Sequence, residues 1–256
     1  MTWTPLSIST LRGIHRGRTA YIFGTGRSLA QLTDLELETA ASGVTFATNY
    51  LIRWDRFARL GRELVCGCRE LDWIRFNPTY WCVAELAALK DIANLIQGVT
   101  TNRVLAHPIW SDLGDWIEKH RDEHIPLSLS ASLWYWVRRK PYWDADPKVC
   151  TRMNLGDFYQ VGSDGHCCFA SGGSVVLDCA LQLAVWTGCT DIVFLGVDID
   201  DRGHVYADDA KPMYPRHRGA VLASVPVLRE QLERCGVKLW RGSDEGNLDL
   251  PVKKLD

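Results

Sequence analysis

Short apolar runs alternate with longer stretches of helical periodicity over most of the chain. Bounded by glycine, proline and polar clusters, the runs predict strands at 19–23 (TAYIF), 44–48 (VTFAT), 79–84 (TYWCVA), 102–106 (NRVLA), 191–197 (DIVFLGV) and 237–240 (VKLW). The clearest helix covers 173–187: Val176, Ala180, Leu183 and Ala184 fall on one stripe, and Gly188 supplies the stop. A second covers 219–235 and ends at Gly236, with Pro226 as a kink or a boundary. Helix, glycine, strand thus occurs twice in the last third of the chain. That rhythm predicts an α/β protein of Rossmann-like form, with a mainly parallel sheet and helices on both faces.

The rhythm breaks between 107 and 160. Trp110, Trp116, Trp134, Trp136 and Trp143 lie there with Tyr135, Tyr142, Phe158 and Tyr159, so five of the eleven tryptophans fall in this fifth of the sequence. The expected arrangement is a Rossmann-like nucleotide-binding domain from 1–106 and 161–256, with 107–160 as a helical, Trp-rich insertion. That insertion is either a subdomain with its own aromatic core or a lid, because Trp and Tyr also suit half-wet sites. Arg138-Arg139-Lys140 can hold anionic groups of a substrate or simply stand in solvent.

Composition narrows the field. The chain has 256 residues, a length that suits one main domain carrying an inserted subdomain. With 29 basic against 31 acidic residues there is no electrostatic case for nucleic-acid binding. No run approaches the ~18 apolar residues of a membrane span. MTWTPLSIST lacks the charged-then-apolar order of a secretory signal, so a cytoplasmic protein is expected, and a homo-oligomer stays open. Of nine cysteines, Cys66-x-Cys68 and Cys167-Cys168 do not have the spacing of a structural zinc site. Cys82, Cys179 and Cys189 lie in or beside apolar runs, where a thiol packs as a small hydrophobe.

Candidate chemistry gathers at strand ends. Gly24-Thr25-Gly26 breaks the first strand, with Ser28 near the first turn of an expected helix. Such an edge offers N–H groups and a positive helix end to an anion, most often a phosphate. Leu29 occupies the place of a third glycine, so the dinucleotide fingerprint is incomplete, and a purely structural tight turn is the alternative. Asn49 ends the next strand, which aims two neighbouring strand ends at one place. Ser171-Gly172-Gly173 precedes the strong helix and can either bind an anion or supply the helix cap through Ser171. Asp198 and Asp200 close the DIVFLGV strand. They would bind Mg²⁺ through oxygens, or Asp198 would anchor its loop. His204, Tyr206, Tyr214 and His217 follow in a Gly-, Asp- and Pro-rich loop. Histidine is the natural base for activating an alcohol, and a tyrosine hydroxyl can donate to a departing phosphate oxygen.

The succession IFGTGRSL, ATNY, CFASGGSVVLDCAL and TDIVFLGVDIDDRGHVYADD, with His217 beyond it, resembles the bacterial lipooligosaccharide sialyltransferases that use CMP-sialic acid. It also resembles the wider group containing the motility-accessory-factor glycosyltransferases and the archaeal hydroxymethylpterin diphosphokinases. The resemblance covers the sheet-forming half of the chain and rests on the order of loose motifs. It implies a glycosyltransferase with a nucleotide-sugar donor, a glycan or other hydroxyl acceptor and no required cofactor. By the same resemblance Gly24, Thr25, Gly26 and Ser28 lie over the nucleotide phosphates, and Asn49 touches ribose or phosphate. Ser171 and Gly172 meet the sugar carboxylate or the cytidine, and Asp198 anchors the strand end. Tyr206 donates to the leaving phosphate, and His217 deprotonates the acceptor.

The departures carry information of their own. Thr25 stands where the sialyltransferases have Asn. Arg27 replaces the proline of the wider group, which makes it an expected phosphate contact peculiar to this chain. Glu85 falls near a second Asn position, and Asp200 takes the place of the first of two leaving-group tyrosines. A carboxylate there would repel a phosphate dianion unless a metal or another cation intervened. Two alternatives follow: a phosphotransferase of the pterin diphosphokinase type, with Asp198, Asp200 and Glu85 around Mg²⁺, and a nucleotide-binding module without catalysis.

Overall fold

In the computed structural model the described residues are 6–7, 11–53, 78–83, 87–88, 103–106, 132–135, 174–205 and 215–255. Strands that are covered on both faces read as continuous apolar runs, and four such strands lie among the described residues. These are Thr19–Phe23 (β2), Val44–Thr48 (β3), Tyr80–Val83 (β4) and Asp191–Leu195 (β7), buried at almost every position. Leu6–Ser7 (β1), Arg103–Ala106 (β5), Ser132–Tyr135 (β6) and Lys238–Arg241 (β8) complete an eight-stranded sheet in the order β1-β6-β5-β4-β3-β2-β7-β8. Every pairing between these strands is parallel.

Register fixes which side chains share a face. Ile22 lies between Phe46 and Phe194, and Phe46 in turn lies beside Tyr80. These residues form one core with Ala20, Val44, Cys82, Ile192 and Leu239. The helical segment covering this face is α2, in which Val176–Leu181 winds as a π-helix and continues into the α-helical Gln182–Trp186. Pro215–Glu233 (α3) adds Val221, Val225, Leu228 and Leu232 to the same core. Tyr21, Phe23, Ala47, Trp81, Val193 and Leu195 point the other way and are buried too. The helix between β2 and β3, Asp34–Ser42 (α1), packs on β3 with Leu37 and Ala40 buried. The step from β2 to β3 and the step from β6 to β7 run in opposite directions along the sheet, so right-handed crossovers put α1 and α2 on opposite faces. The expected α/β sheet with helices on both faces is the observed one.

Two expectations change. Ser132–Tyr135 falls inside the stretch read as a helical insertion, yet it pairs with β5 on one side and β1 on the other. Four aromatic-rich residues are too short to show a period, although aromatics favour a strand. The remainder of 107–160 lies outside the described residues. The helix expected straight after Gly26 also differs. Residues Arg27–Gln31 make a 3₁₀ turn, and α1 starts only at Asp34. Thr33 sets that start through a capping box: its hydroxyl accepts from Glu36 N–H (3.2 Å), and Glu36 accepts from Thr33 N–H (2.7 Å).

The helix stops are as expected. Gly188 (φ 94°) closes α2 and Gly236 (φ 78°) follows α3, which begins at Pro215 rather than at 219 and runs through Pro226. Pro suits a first helical position because its missing N–H would have no partner there. Cys82, Cys179 and Cys189 are buried as thiols, not as disulfides, and burial pushes the Cys189 thiol up to about 11. The fully buried Tyr80 hydroxyl meets His15 Nε2 at 2.7 Å. Phe46 stacks on the Tyr80 ring at 4.9 Å with no exposed surface. Phe46→Ala should therefore cost about 3–5 kcal/mol in urea denaturation. A loss below about 1 kcal/mol would mean that this pair is not at the centre of the core.

Candidate functional site at the β2–β7 crevice

The chain leaves β2 for β3 on one side and later returns to β7 on the other. Where connections diverge in this way, the strand ends part and leave a crevice at the carboxyl edge of the sheet. Three loops meet there: Gly24–Ser28 after β2, the turn starting at Asn49 after β3, and Gly196–Val205 after β7. The Thr48 hydroxyl donates to the Phe23 carbonyl (2.8 Å) and holds the ends of β3 and β2 together.

The two glycines of the β2 turn have a local cause. Gly24 N–H donates to Leu195 O (2.8 Å) and Gly26 N–H to Gly196 O (2.6 Å), so the turn follows the end of β7 closely. A Cβ at Gly24 would lie 2.4 Å from Gly196 O, and one at Gly26 would lie 2.6 Å from the Asp198 carboxylate. Leu29, in the place of the missing third glycine, packs over Gly196.

Asp198 is the anchor of the loop. Its side chain is 4% exposed, accepts from Ser28 N–H at 2.9 Å, and accepts from the Ser28 hydroxyl. The Ser28 groups that the sequence aims at a phosphate therefore meet a carboxylate of the same chain. Asn247 N–H donates to Asp198 O (2.8 Å), and Asn247 Nδ2 donates to Ile199 O (3.2 Å). Those contacts hold Ile199 at φ 53°, a strained conformation for a β-branched residue. Asn49 is also left-handed, at φ 37°. Among the described residues these are the two non-glycine positions of that kind, and both border the crevice.

Asp200 is neutralised by its own loop. Arg202 Nε lies 2.6 Å from Asp200 Oδ2, a second guanidinium nitrogen pairs with Glu245, and a third lies 3.5 Å from Asp198 Oδ2. Bonds to Glu245 and Asp200 raise the Arg202 guanidinium above its ordinary range. Glu245 is held below the usual carboxylate range by Arg202 first and by Gln31 second. The cation that Asp200 requires is thus supplied by an arginine two residues on. Arg27 Nε donates to the Arg202 carbonyl (2.6 Å), which makes Arg27 a clamp between the β2 turn and the β7 loop. Arg218 pairs with Asp201 and ties the first turns of α3 to the same loop.

His217 lies in the first turn of α3, one residue before that tether. Its side chain lies outside the described residues, as do Tyr206, Glu85, Ser171 and Gly172. Near the start of α2 it is Ser174 whose hydroxyl oxygen accepts from Leu177 N–H (3.4 Å). Among the described residues no three His, Cys, Asp or Glu side chains are grouped to hold a metal. No helix among them is long and apolar enough to cross a membrane.

Sequence reasoning gave no role to the contact between Thr25 and His204. Thr25 Oγ1 lies 2.8 Å from His204 Nδ1, Val205 N–H donates to Thr25 O (2.8 Å), and His204 forms an antiparallel bridge with Gly26. Arg202, Glu245 and Asn247 were equally unforeseen. They are separated in sequence from their partners, and no short motif announces them.

Two outcomes are expected. Asp198→Ala leaves Ser28 N–H buried without its acceptor and should cost about 1–3 kcal/mol on denaturation. A depressed carboxyl stabilises the fold above its unfolded pKa, and that contribution is lost as pH falls through the folded value. Wild type should therefore melt above Glu245→Gln near neutral pH, and the two curves should converge as pH falls through the lowered Glu245 value. A gap that widens in acid would reverse the assignment.

No family model matches the chain, and neither does any curated protein. Among solved structures, the chain is similar to the MAf glycosyltransferase from Magnetospirillum magneticum AMB-1, at 14% identity and a TM-score of 0.48. The likeness covers 97% of this chain but 37% of that one, so the chain spans well under half the length of that protein. At this level no inference about chemistry rests on it.

Proposed function

We propose that the chain is a glycosyltransferase that moves a sugar from a nucleotide-activated donor, of the CMP-linked acidic class, to an acceptor hydroxyl. The observation that carries this reading is the meeting of three loops at the carboxyl ends of β2, β3 and β7. This is where α/β sheets take nucleotides. The order of motifs in the sequence supports the same reading.

In this proposal the donor phosphates lie along the outer side of the Thr25 turn, and Asn49 reaches the ribose or a phosphate. His217 takes the acceptor proton, and Tyr206 donates to the departing nucleotide as the bond from the anomeric carbon to the phosphate oxygen breaks. Ser28 and Asp198 hold the walls in place rather than touching the donor. With both Asp198 oxygens bonded to Ser28 and Asp200 paired to Arg202, the metal-free reading is favoured over the Mg²⁺-dependent phosphotransferase.

Thermal melting in the presence of CMP, UDP, GDP and ATP, each with and without Mg²⁺, tests the reading. CMP should raise the melting temperature without Mg²⁺. The gain is about 2.7 kcal/mol at a hundred times the dissociation constant. No shift with any nucleotide overturns the proposal, and a shift with ATP alone that requires Mg²⁺ favours the phosphotransferase. His217→Ala should abolish release of CMP from a CMP-sugar in the presence of acceptor and leave CMP binding unchanged. Persistence of that release would remove His217 as the base.

A further inference from the structure

We propose that Arg202 is a phosphate-binding residue of this crevice and that Glu245 is an internal competitor, displaced from it by the donor phosphate. The inference rests on the nucleotide-donor reading and adds to it two residues that the order of motifs leaves without a role.

The guanidinium lies at the glycine turn. Arg27 Nε donates to the Arg202 carbonyl (2.6 Å) and joins its backbone to that turn. Arg202 Nη2 stands 3.5 Å from Asp198 Oδ2, the same oxygen that accepts from Ser28 N–H. Arg202 Nη1 pairs with Glu245, which also accepts from Gln31 Nε2. Through these two carboxylates the cation is linked to both ends of the 3₁₀ turn Arg27–Gln31.

A phosphate at the turn requires such a cation. Gly24 N–H is bonded to Leu195 O, Gly26 N–H to Gly196 O, and Ser28 N–H and hydroxyl to Asp198. A glycine turn ordinarily meets a phosphate with its own N–H groups, and these three are already bonded within the protein. Charge on a side chain takes their place. A guanidinium suits that task because it binds phosphate through charge-assisted hydrogen bonds.

The three carboxylates around Arg202 are not held alike. Asp198 is 4% exposed and bonded twice to Ser28. Asp200 is 16% exposed, and its two oxygens meet Arg202 N–H (2.9 Å) and Nε (2.6 Å), a pair that the loop builds with itself. Glu245 is 35% exposed and comes from another loop, 43 positions further on. A pair of exposed long side chains is weak in water, so Nη1 is the end of the guanidinium that exchanges its partner most readily. Release leaves Glu245 its bond to Gln31 and its access to solvent. Asp200 keeps Nε throughout, and the cation stays at the turn. Glu245 and a phosphate are anions competing for one nitrogen, so each excludes the other.

Calorimetric titration of the full chain with CMP and with cytidine separates phosphate recognition from base recognition. Glu245→Gln removes the competing charge and should tighten CMP about fivefold, equivalent to ~1 kcal/mol. Arg202→Gln should weaken CMP about tenfold, and cytidine affinity should stay unchanged in both. In the double variant Arg202→Gln/Glu245→Gln the gain should vanish, because no cation remains to be released. Circular dichroism checks each variant for folding. If Arg202→Gln fails to fold, Asp244→Asn supplies the comparison: it removes an exposed charge from the same loop without releasing Arg202, and should tighten CMP less than Glu245→Gln does. Unchanged or weaker CMP binding in Glu245→Gln, undiminished binding in Arg202→Gln, an equal gain in the double variant or in Asp244→Asn, or a parallel change for cytidine overturns the inference and leaves the donor reading standing. If the wild-type chain does not bind CMP, the CMP-donor reading fails and takes this inference with it.

Discussion

The bond between the Asp198 carboxylate and Ser28 is the constraint on which the described crevice depends. It joins the chain leaving β7 to the chain leaving β2, at the point where the sheet's connections diverge. The groups around it keep that carboxylate buried and hydrogen-bonded. Gly26 has no side chain because the carboxylate lies where a Cβ would go, and Gly196 makes room for Leu29. Asn247 holds the adjoining backbone, including the strained Ile199. A buried carboxylate with fewer partners would carry an uncompensated desolvation cost.

Beyond the anchor, charge is balanced locally. Arg202 stands among Asp198, Asp200 and Glu245, and Arg218 meets Asp201. With Arg202 42% exposed, each of its pairs is weak alone, since water screens it and ordering two long side chains costs entropy. Their value lies in shape. Together with Arg27 they fix the course of the β7 loop over the turn, and with it the position of His204.

The sheet was legible because burial on both faces demands uninterrupted apolar runs. TAYIF and VTFAT, for instance, are strands over the same residues in sequence and structure. Ser132–Tyr135 escaped notice because a four-residue strand among other aromatics has no period to read. The start of α1 was readable in principle, since Thr33-Asp34-Leu35-Glu36 is a capping-box pattern, but Gly26 and Ser28 drew the helix start too early. At the site, sequence located the strand ends and named Asp198 as a loop anchor among its alternatives. It could not tell that Ser28 would face Asp198 rather than a ligand, because the two are separated by 169 intervening positions and meet only through the β2–β7 pairing. Arg27 shows the same limit: its character suggests an anion, and its Nε bonds a carbonyl.

The glycine turn looks like an unfinished dinucleotide motif, and its structure explains why finishing it would not make one. Replacing Leu29 by glycine would restore the written pattern and empty the space above Gly196, yet Asp198 would still occupy the mouth of the turn. A pyrophosphate brought there would meet a fixed negative charge already bonded to the groups it needs. Converting this scaffold to bind such cofactors would begin on β7, with a new way of fastening its loop, and only afterwards reach the glycines.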